Sequence, residues 1–180
     1  MILSQTEFRD FTSIHLNLIY YAGLKKEVID PDMTFAQFLK LKLKDKTKCR
    51  DELNKHSDLI DGFIKDSSKS LTPNQINIIQ GFKQKISSDF IILKCLKDSA
   101  IFIDTNDKKV YAVKALSDRF DKFFDFFPVY CDATLIPFKG KIIYDGFLTS
   151  RNVRFGKNYR YEFNEIYMNA KENNAIIRTI

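Results

Sequence analysis

The chain has 180 residues, of which 44% are hydrophobic and 29% charged, and its formal net charge is +6. This length suits one domain with one core, and the apolar fraction excludes a disordered chain. The positive charge permits an acidic partner such as nucleic acid, although a lysine-rich composition also gives a soluble basic surface without such a partner.

The three cysteines, Cys49, Cys95 and Cys131, are widely spaced and form no CxxC pair. An odd and scattered set argues against a disulfide framework and against a thiolate zinc site, and it suits a reducing cytosol. The N-terminus lacks the basic start and apolar run of a signal peptide, and no apolar window reaches membrane-spanning length. The sequence therefore predicts a cytoplasmic protein without a membrane partner.

The N-terminal half begins with a helix start signal. Ser4-x-x-Glu7 is a capping box, and apolar residues at helical spacing follow it to about Tyr21. Gly23 is then placed to end this helix in the left-handed conformation that glycine adopts readily.

A second capping box, Thr34-x-x-Gln37, predicts a helix that carries a run of alternating lysines. Because helical residues two apart point in different directions, these lysines would fan around the helix and not form one charged stripe. The expected role of the run is therefore a solvated surface. Its members are Lys40, Lys42, Lys44, Lys46 and Lys48.

Two more helices are predicted before the pattern changes. Apolar residues at helical spacing predict one helix within about Arg50 to Ile64. Thr72-Pro73-x-Gln75 is the strongest helix start in the chain, because it joins an N-cap, a proline at the first helical position and a capping-box glutamine. That helix is expected to run to about Ser87.

From Asp89 onward the periodicity is that of extended chain. Three apolar runs, Phe90–Leu93, Ala100–Ile103 and Val110–Val113, predict three strands. Turn-forming residues at 105–108 separate the second run from the third, so these two should pair as an antiparallel hairpin.

The next segments predict a helix and a second hairpin. Ser117 is placed to start a short phenylalanine-rich helix that Pro128 ends. Leu135–Leu148 then holds a complete hairpin, in which Gly140 supplies the turn and Asp145-Gly146 a further bend or bulge.

The chain closes with a predicted helix and strand. The helix carries Phe163 and Tyr167 and ends at Asn173-Asn174, and residues 175–177 predict a last strand. All these elements predict an α+β fold, in which N-terminal helices pack on a mainly antiparallel sheet built by the C-terminal half.

The expected domain organisation is a single domain over residues 1–180. It would have a helical lobe over about 1–88 and a β-rich lobe over about 89–180. No long Pro-, Gly- or Ser-rich linker separates the two lobes in the sequence, which favours one domain.

The sequence contains no specific catalytic motif. His15 lies on the apolar face of the first predicted helix, where a structural imidazole is expected, and His56 lacks the ligand spacing of a metal site. The glycines form neither of the common phosphate-binding loops. We therefore predict no catalytic residue, no cofactor and no metal.

An enzyme is the alternative to this interpretation. Asp104, Asp107, Asp132 and Asp145 fall at strand ends or turns with lysines nearby in the sequence. Two carboxylates and a lysine at a sheet edge could hold Mg²⁺ and orient water for phosphodiester hydrolysis. Aspartate and lysine are also the ordinary residues of turns and sheet edges, so a nuclease stays the alternative.

Basic and aromatic side chains alternate between residues 151 and 161. Guanidinium groups can hold phosphates while tyrosine rings stack on exposed bases, as in proteins that bind single-stranded nucleic acid or folded RNA. Arginine and tyrosine are also enriched in protein interfaces, and the aromatic residues of a loop can equally be buried anchors. The predicted binding residues are Arg151, Arg154, Lys157, Tyr159, Arg160 and Tyr161, with Lys139 and Lys141 of the hairpin.

The segment Leu135–Gly146, with Phe155-Gly156 and Tyr167-x-x-Ala-Lys171, resembles uncharacterised proteins of low-GC bacteria that carry a PFKGKIIYDG hairpin near the C-terminus. The resemblance covers about the last half of the chain. It implies a bacterial, phage or mobile-element origin and brings no activity with it.

Small size, a basic surface and the lack of a chemical motif favour a non-catalytic binding or regulatory protein. Its expected partner is a protein or a nucleic acid. One version of this prediction is an inhibitor that acts on a nucleic-acid enzyme, and another is direct nucleic-acid binding through the basic and aromatic tract.

Overall fold

A computed structural model describes residues 2–180, and in it the chain divides into two compact units. One is Arg9–Lys83, which we call the helical unit. The other joins the residues before Arg9 to Gln84–Ile180 and is called the sheet unit. The predicted α+β class is confirmed, because helices fill the N-terminal half and a mixed, mostly antiparallel sheet forms in the C-terminal half.

Five α-helices lie in the described N-terminal half. Helices α2 and α5 each begin with the predicted capping box, in which the threonine oxygen accepts a backbone N–H and the glutamine oxygen accepts the N–H of the threonine. The predicted box of Ser4 and Glu7 is also formed, at the start of α1. The helices are α1 (Gln5–Lys25), α2 (Phe35–Leu39), α3 (Leu43–Lys55), α4 (Asp58–Asp66) and α5 (Pro73–Gly81).

The prediction that Gly23 ends the first helix is wrong. Helix α1 continues to Lys25, and Glu27 adopts the left-handed φ of 54° instead. Gly23 is buried, and a Cβ added to it would lie 2.7 Å from the Sγ of Cys49 and 3.1 Å from the Cδ1 of Ile29. Glycine is therefore required here for close packing within the helical unit.

We expect Gly23→Ala to lower the free energy of unfolding by about 1–3 kcal/mol, because a methyl group added to a tight contact forces its neighbours to move. Gly156→Ala is the matched control. Among the described residues nothing lies within 4 Å of a Cβ there, and φ is −69°. Its expected change is below about 1 kcal/mol, because Gly156 is the N-cap of α6, where alanine is less favoured than glycine. Urea denaturation followed by circular dichroism compares the two, and equal losses would contradict the packing explanation.

Two predicted helices are interrupted. Helix α2 stops at Leu39 and α3 starts at Leu43, so the lysine run is divided between two helices and an elbow. Leucine and lysine alternate here with a period of two, which gives no continuous apolar face to sustain one helix. The predicted helix over residues 50–64 is likewise broken, between Lys55 and Asp58. Helix α5 ends at Gly81, earlier than expected.

The five strands form one sheet that closes into a barrel in the order β1-β2-β3-β5-β4, with β4 pairing back onto β1. Strands β3 and β5 are parallel and the other neighbours are antiparallel. The three predicted strands and the β2–β3 hairpin are confirmed. The strands are β1 (Ile86–Cys95), β2 (Ala100–Asp104), β3 (Val110–Lys114), β4 (Val129–Phe138) and β5 (Lys141–Arg151).

The second predicted hairpin consists of β4 and β5. Its turn is formed by Lys139 and Gly140, whose φ values are 48° and 71°. The predicted bulge lies at Gly146, where φ is 90° and the register between the two strands shifts. Asp145 closes this bulge, because its Oδ1 accepts the N–H of Phe147 at 3.0 Å.

The segment between β3 and β4 differs most from its prediction. In place of a helix from Ser117 it contains a short 3₁₀ turn at Phe120–Lys122. The Phe120 ring is 1% exposed and packs 5.3 Å from Phe102 and 5.2 Å from Tyr144. Phe120 is the one phenylalanine of this segment that is buried to this degree. The packing of its ring therefore determines the path of the segment, which does not form the predicted helix.

Helix α6 (Lys157–Glu172) packs on the barrel. Along β1, β2 and β3, the residues that contact α6 alternate with residues whose side chains fill the barrel. Helix α6 therefore lies on the outer face of these three strands. Ile177 makes a parallel bridge to Tyr111 where a last strand was predicted. The buried cluster is Ile91, Leu93, Ile101, Ile103, Val110, Phe163 and Tyr167.

Candidate nucleic-acid interface

A cleft of about 270 Å³ opens in the sheet unit between two segments of chain. Phe123–Phe126 form one wall and Ser150–Val153 form the other, with Val129 between them. The strand register explains this arrangement. Tyr130 of β4 pairs with Arg151 of β5, so the segment before β4 lies beside the segment that leaves β5.

Two phenylalanine rings of the first wall are exposed to solvent. Phe123 is 54% exposed and Phe126 is 40% exposed. The guanidinium carbon of Arg154 lies 5.2 Å from the centre of the Phe126 ring, within the range of a cation–π contact. Such a contact holds the cation near the ring and leaves its N–H donors available to an anion.

Arg151 has a carboxylate partner and an aromatic neighbour within the sheet unit. Its Nη2 donates to both carboxylate oxygens of Asp89, at 2.9 and 3.2 Å, and its guanidinium lies 5.0 Å from the centre of the Tyr130 ring. The Tyr130 hydroxyl donates to the same carboxylate at 2.9 Å, which raises the pKa of Tyr130. Asp89 already balances the charge of Arg151. Arg151 therefore forms part of the cleft wall and is not a free ligand for phosphate.

The start of α6 carries the remaining residues of the predicted tract. Tyr159 is exposed, but one face of its ring stacks on Phe163, and Phe155 completes this aromatic group. Arg160 donates from Nε to the backbone oxygen of Phe155 at 3.0 Å, which fastens the loop to the helix. Lys157 and Tyr161 are both exposed.

Lys139 and Lys141 do not join this cleft. They lie at the opposite end of β5, whose eleven residues span about 30 Å. Lys141 donates to the carboxylate of Glu7, and this hydrogen bond lowers the pKa of Glu7 to about 2. The ammonium of Lys139 lies 5.4 Å from the ring of Phe138. The structure therefore separates these two lysines from the other predicted residues.

Of the carboxylates of the nuclease alternative, Asp104 and Asp107 share one turn but have different partners, and Asp145 lies apart from both. Asp104 is buried, and its Oδ1 accepts from the Ser88 hydroxyl at 2.9 Å. Asp107 forms an ion pair with Lys109 at 2.7 Å. Asp104 and Asp107 lie near the start of β3, whereas Asp145 lies beyond its end. The length of that strand, about 15 Å, therefore separates Asp145 from the other two aspartates. Within residues 2–180 no group of three or more histidine, cysteine or carboxylate side chains is placed to hold a metal ion.

Phe123 and Phe126 are the cleft residues that sequence reasoning missed. Phe123 was assigned to the predicted helix from Ser117, because its spacing with Phe120, Phe124 and Phe127 fits a helical face, and Phe126 lies within the same predicted helix. The sequence did contain a signal, because four of the five residues after Lys122 are phenylalanines. Side chains so closely spaced cannot all face one core. Which of them is exposed depends on the barrel and is not encoded locally.

Comparison with known proteins gives no match to a family model, to a curated protein sequence or to a solved structure. No helix within residues 2–180 combines the length and the apolar character that crossing a membrane requires.

Proposed function

We propose that this protein binds single-stranded nucleic acid in the cleft between residues 123–126 and 150–153, without catalysing a reaction on it. The observation that carries the proposal is the pair of exposed rings, Phe123 and Phe126, in a cleft that also holds arginine. Aromatic rings offer flat faces on which unpaired bases stack, and such stacking contributes about 1–3 kcal/mol per base.

The size of the cleft and the position of Arg154 beside it support a single strand over other ligands. Its volume of about 270 Å³ is just below the range of small-molecule pockets, about 300–1,000 Å³, and so suits one or two flat rings. Arg154 beside Phe126 can donate to a phosphate while the ring holds a base. In a duplex the base faces are stacked on each other and are not available to these rings.

The topology of the barrel does not add to this proposal. Some five-stranded barrels bind oligonucleotides and oligosaccharides on strands 2 and 3 and on the loops beside them. In this chain α6 covers the outer face of β2 and β3. Because a fold does not fix a function, the proposal depends on the cleft and not on this likeness.

A protein partner is the second candidate, and the same exposed phenylalanines favour it. Aromatic and arginine side chains are enriched where protein interfaces are strongest, which would suit a regulatory or inhibitory protein. The two candidates differ in salt dependence. Binding to nucleic acid weakens steeply with salt because phosphate contacts release counterions, whereas an apolar protein interface is much less sensitive.

The test is fluorescence anisotropy with labelled oligo(dT) and oligo(U) about 20 nucleotides long, with a duplex of equal length for comparison. We expect the single strands to bind more tightly than the duplex. Phe126→Ala should weaken binding by about 5- to 100-fold, since it removes one stacking surface. Leu96→Ala removes an exposed apolar side chain of the sheet unit outside the cleft and should leave affinity unchanged.

Two results would overturn the proposal. The first is the absence of binding to any of the oligonucleotides at low salt, which would leave protein partners as the function to pursue. The second is an affinity of Phe126→Ala equal to that of Leu96→Ala, which would place any nucleic-acid contact outside this cleft.

A further inference from the structure

The elbow between α2 and α3 in the helical unit exposes a short alternating segment, Leu39–Lys44. Two nearby lysines of the same run have structural partners. Lys46 reaches back and donates to the backbone oxygen of Leu39 at 2.8 Å, which closes the elbow. Lys48 forms an ion pair with Asp45 at 3.1 Å. These two contacts show that Lys46 and Lys48 serve the fold of the helical unit.

The other three lysines, Lys40, Lys42 and Lys44, have no such role. All three are exposed, and none has an ion-pair or hydrogen-bond partner among the described side chains. Lys42 is the N-cap of α3 without a side-chain cap, and Lys44 lies in the first turn. The helix dipole disfavours cations at that end, so these lysines do not stabilise the helix that carries them.

Two exposed leucines alternate with the lysines. Leu39 is 42% exposed and Leu43 is 66% exposed. The elbow therefore presents cations and apolar side chains side by side. The ligand that would complement the elbow is a polyanion that also has apolar surface.

We infer that this elbow is a further contact for the backbone of single-stranded nucleic acid, an inference that rests on the proposed function. A single strand presents phosphates to the lysines and unstacked base faces to the leucines, whereas a duplex presents phosphates alone. Each lysine that neutralises a phosphate releases condensed counterions. The lysines thus add affinity that depends on salt, and the leucines favour single strands.

The test measures the affinity for oligo(dT) of about 20 nucleotides across a series of salt concentrations. Lys42→Gln/Lys44→Gln should reduce the slope of log affinity against log salt by about 1.4, at about 0.7 per phosphate contact, and weaken binding on the order of tenfold at low salt. Lys65→Gln/Lys69→Gln is the matched control, because it removes two exposed lysines of the same unit that do not belong to the elbow. It should leave the slope unchanged.

The outcomes separate this inference from the proposed function. Loss of slope in the elbow variant but not in the control supports the inference, whether or not Phe126→Ala weakens binding. Equal slopes in the elbow variant and the control overturn it, while a loss of affinity in Phe126→Ala would still support the cleft. Binding of the protein to anionic lipid vesicles that requires Lys42 and Lys44, without any effect of these residues on oligo(dT), would also overturn it.

Discussion

Lowering the pH from 6.5 to 3 is expected to remove about 3–5 kcal/mol from the free energy of unfolding of the helical unit, through His15. His15 is 5% exposed. Its ring stacks on Phe11 at 5.0 Å and meets the edge of Phe82 at 5.8 Å. Burial among these rings lowers the pKa of the imidazole to about 3, and the nearby charge of Arg50 adds to this shift.

The sign of the effect follows from proton binding. The unfolded chain protonates this imidazole near pH 6.5, while the folded chain does so only near pH 3. Between these values the unfolded state binds more protons, so stability falls as the pH falls, by up to about 1.4 kcal/mol per pH unit. Above pH 6.5 the contribution of His15 is constant.

Glu7 also responds to acid, but in a lower range. Its folded pKa of about 2 lies below the ordinary value of 4.5, so the stability that it contributes is lost as the pH falls from 4.5 to 2. Of these two groups, only His15 therefore changes the free energy of unfolding between pH 6.5 and 4.5. That range gives the cleanest measurement of the buried imidazole.

Urea denaturation at several pH values measures the effect. We expect His15→Leu to abolish the slope of stability against pH between 6.5 and 4.5, whatever its effect on stability at neutral pH. His56→Gln, which changes an exposed histidine at the end of α3, should retain the slope. A slope that persists in His15→Leu would show that another group causes the acid sensitivity.

Local signals explain which parts of the fold were predictable. A capping box such as Thr72 with Gln75 satisfies its own backbone groups, so it fixes a helix start without help from the rest of the chain. The turn at Gly140 and the bulge at Gly146 likewise need a positive φ that glycine adopts readily. These features were correctly placed because their causes lie within a few residues.

Two of the failures have different causes, a distant packing partner at Gly23 and an overlooked change of period in the lysine run. Gly23 resembles a helix cap in sequence, and only the packing of Cys49 and Ile29 against it shows why glycine is needed. The lysine run resembles one helix until the elbow, closed by Lys46, divides it. The close approach of a distant side chain cannot be read from local periodicity, whereas the period-two alternation of leucine and lysine is present in the sequence.

The candidate site was predictable in its charges but not in its aromatic residues. Arg151 and Arg154 were named from the interleaved tract, and the structure places them beside the cleft. The tyrosines named with them lie on α6, where Tyr159 stacks on Phe163. The exposed rings of the cleft instead come from a segment about 30 positions earlier, which the pairing of β4 with β5 brings alongside.

Phe120 and Phe123 provide the sharpest test of this arrangement, because they are the same residue type three positions apart. Phe120→Ala should lower the free energy of unfolding by about 3–5 kcal/mol, since it leaves a cavity beside Phe102 and Tyr144 inside the barrel. Phe123→Ala should change it by less than about 0.5 kcal/mol, because that ring is largely exposed. Urea denaturation of the two variants measures the difference.

The same pair separates folding from binding. If Phe123 were placed on the protein surface for no functional reason, Phe123→Ala would preserve both the fold and the affinity for oligo(dT). We expect it to preserve the fold and to weaken binding by about 5-fold or more, because a base loses one stacking face. Comparable destabilisation by the two substitutions would contradict the exposure of Phe123, and with it the cleft from which the proposed function is derived.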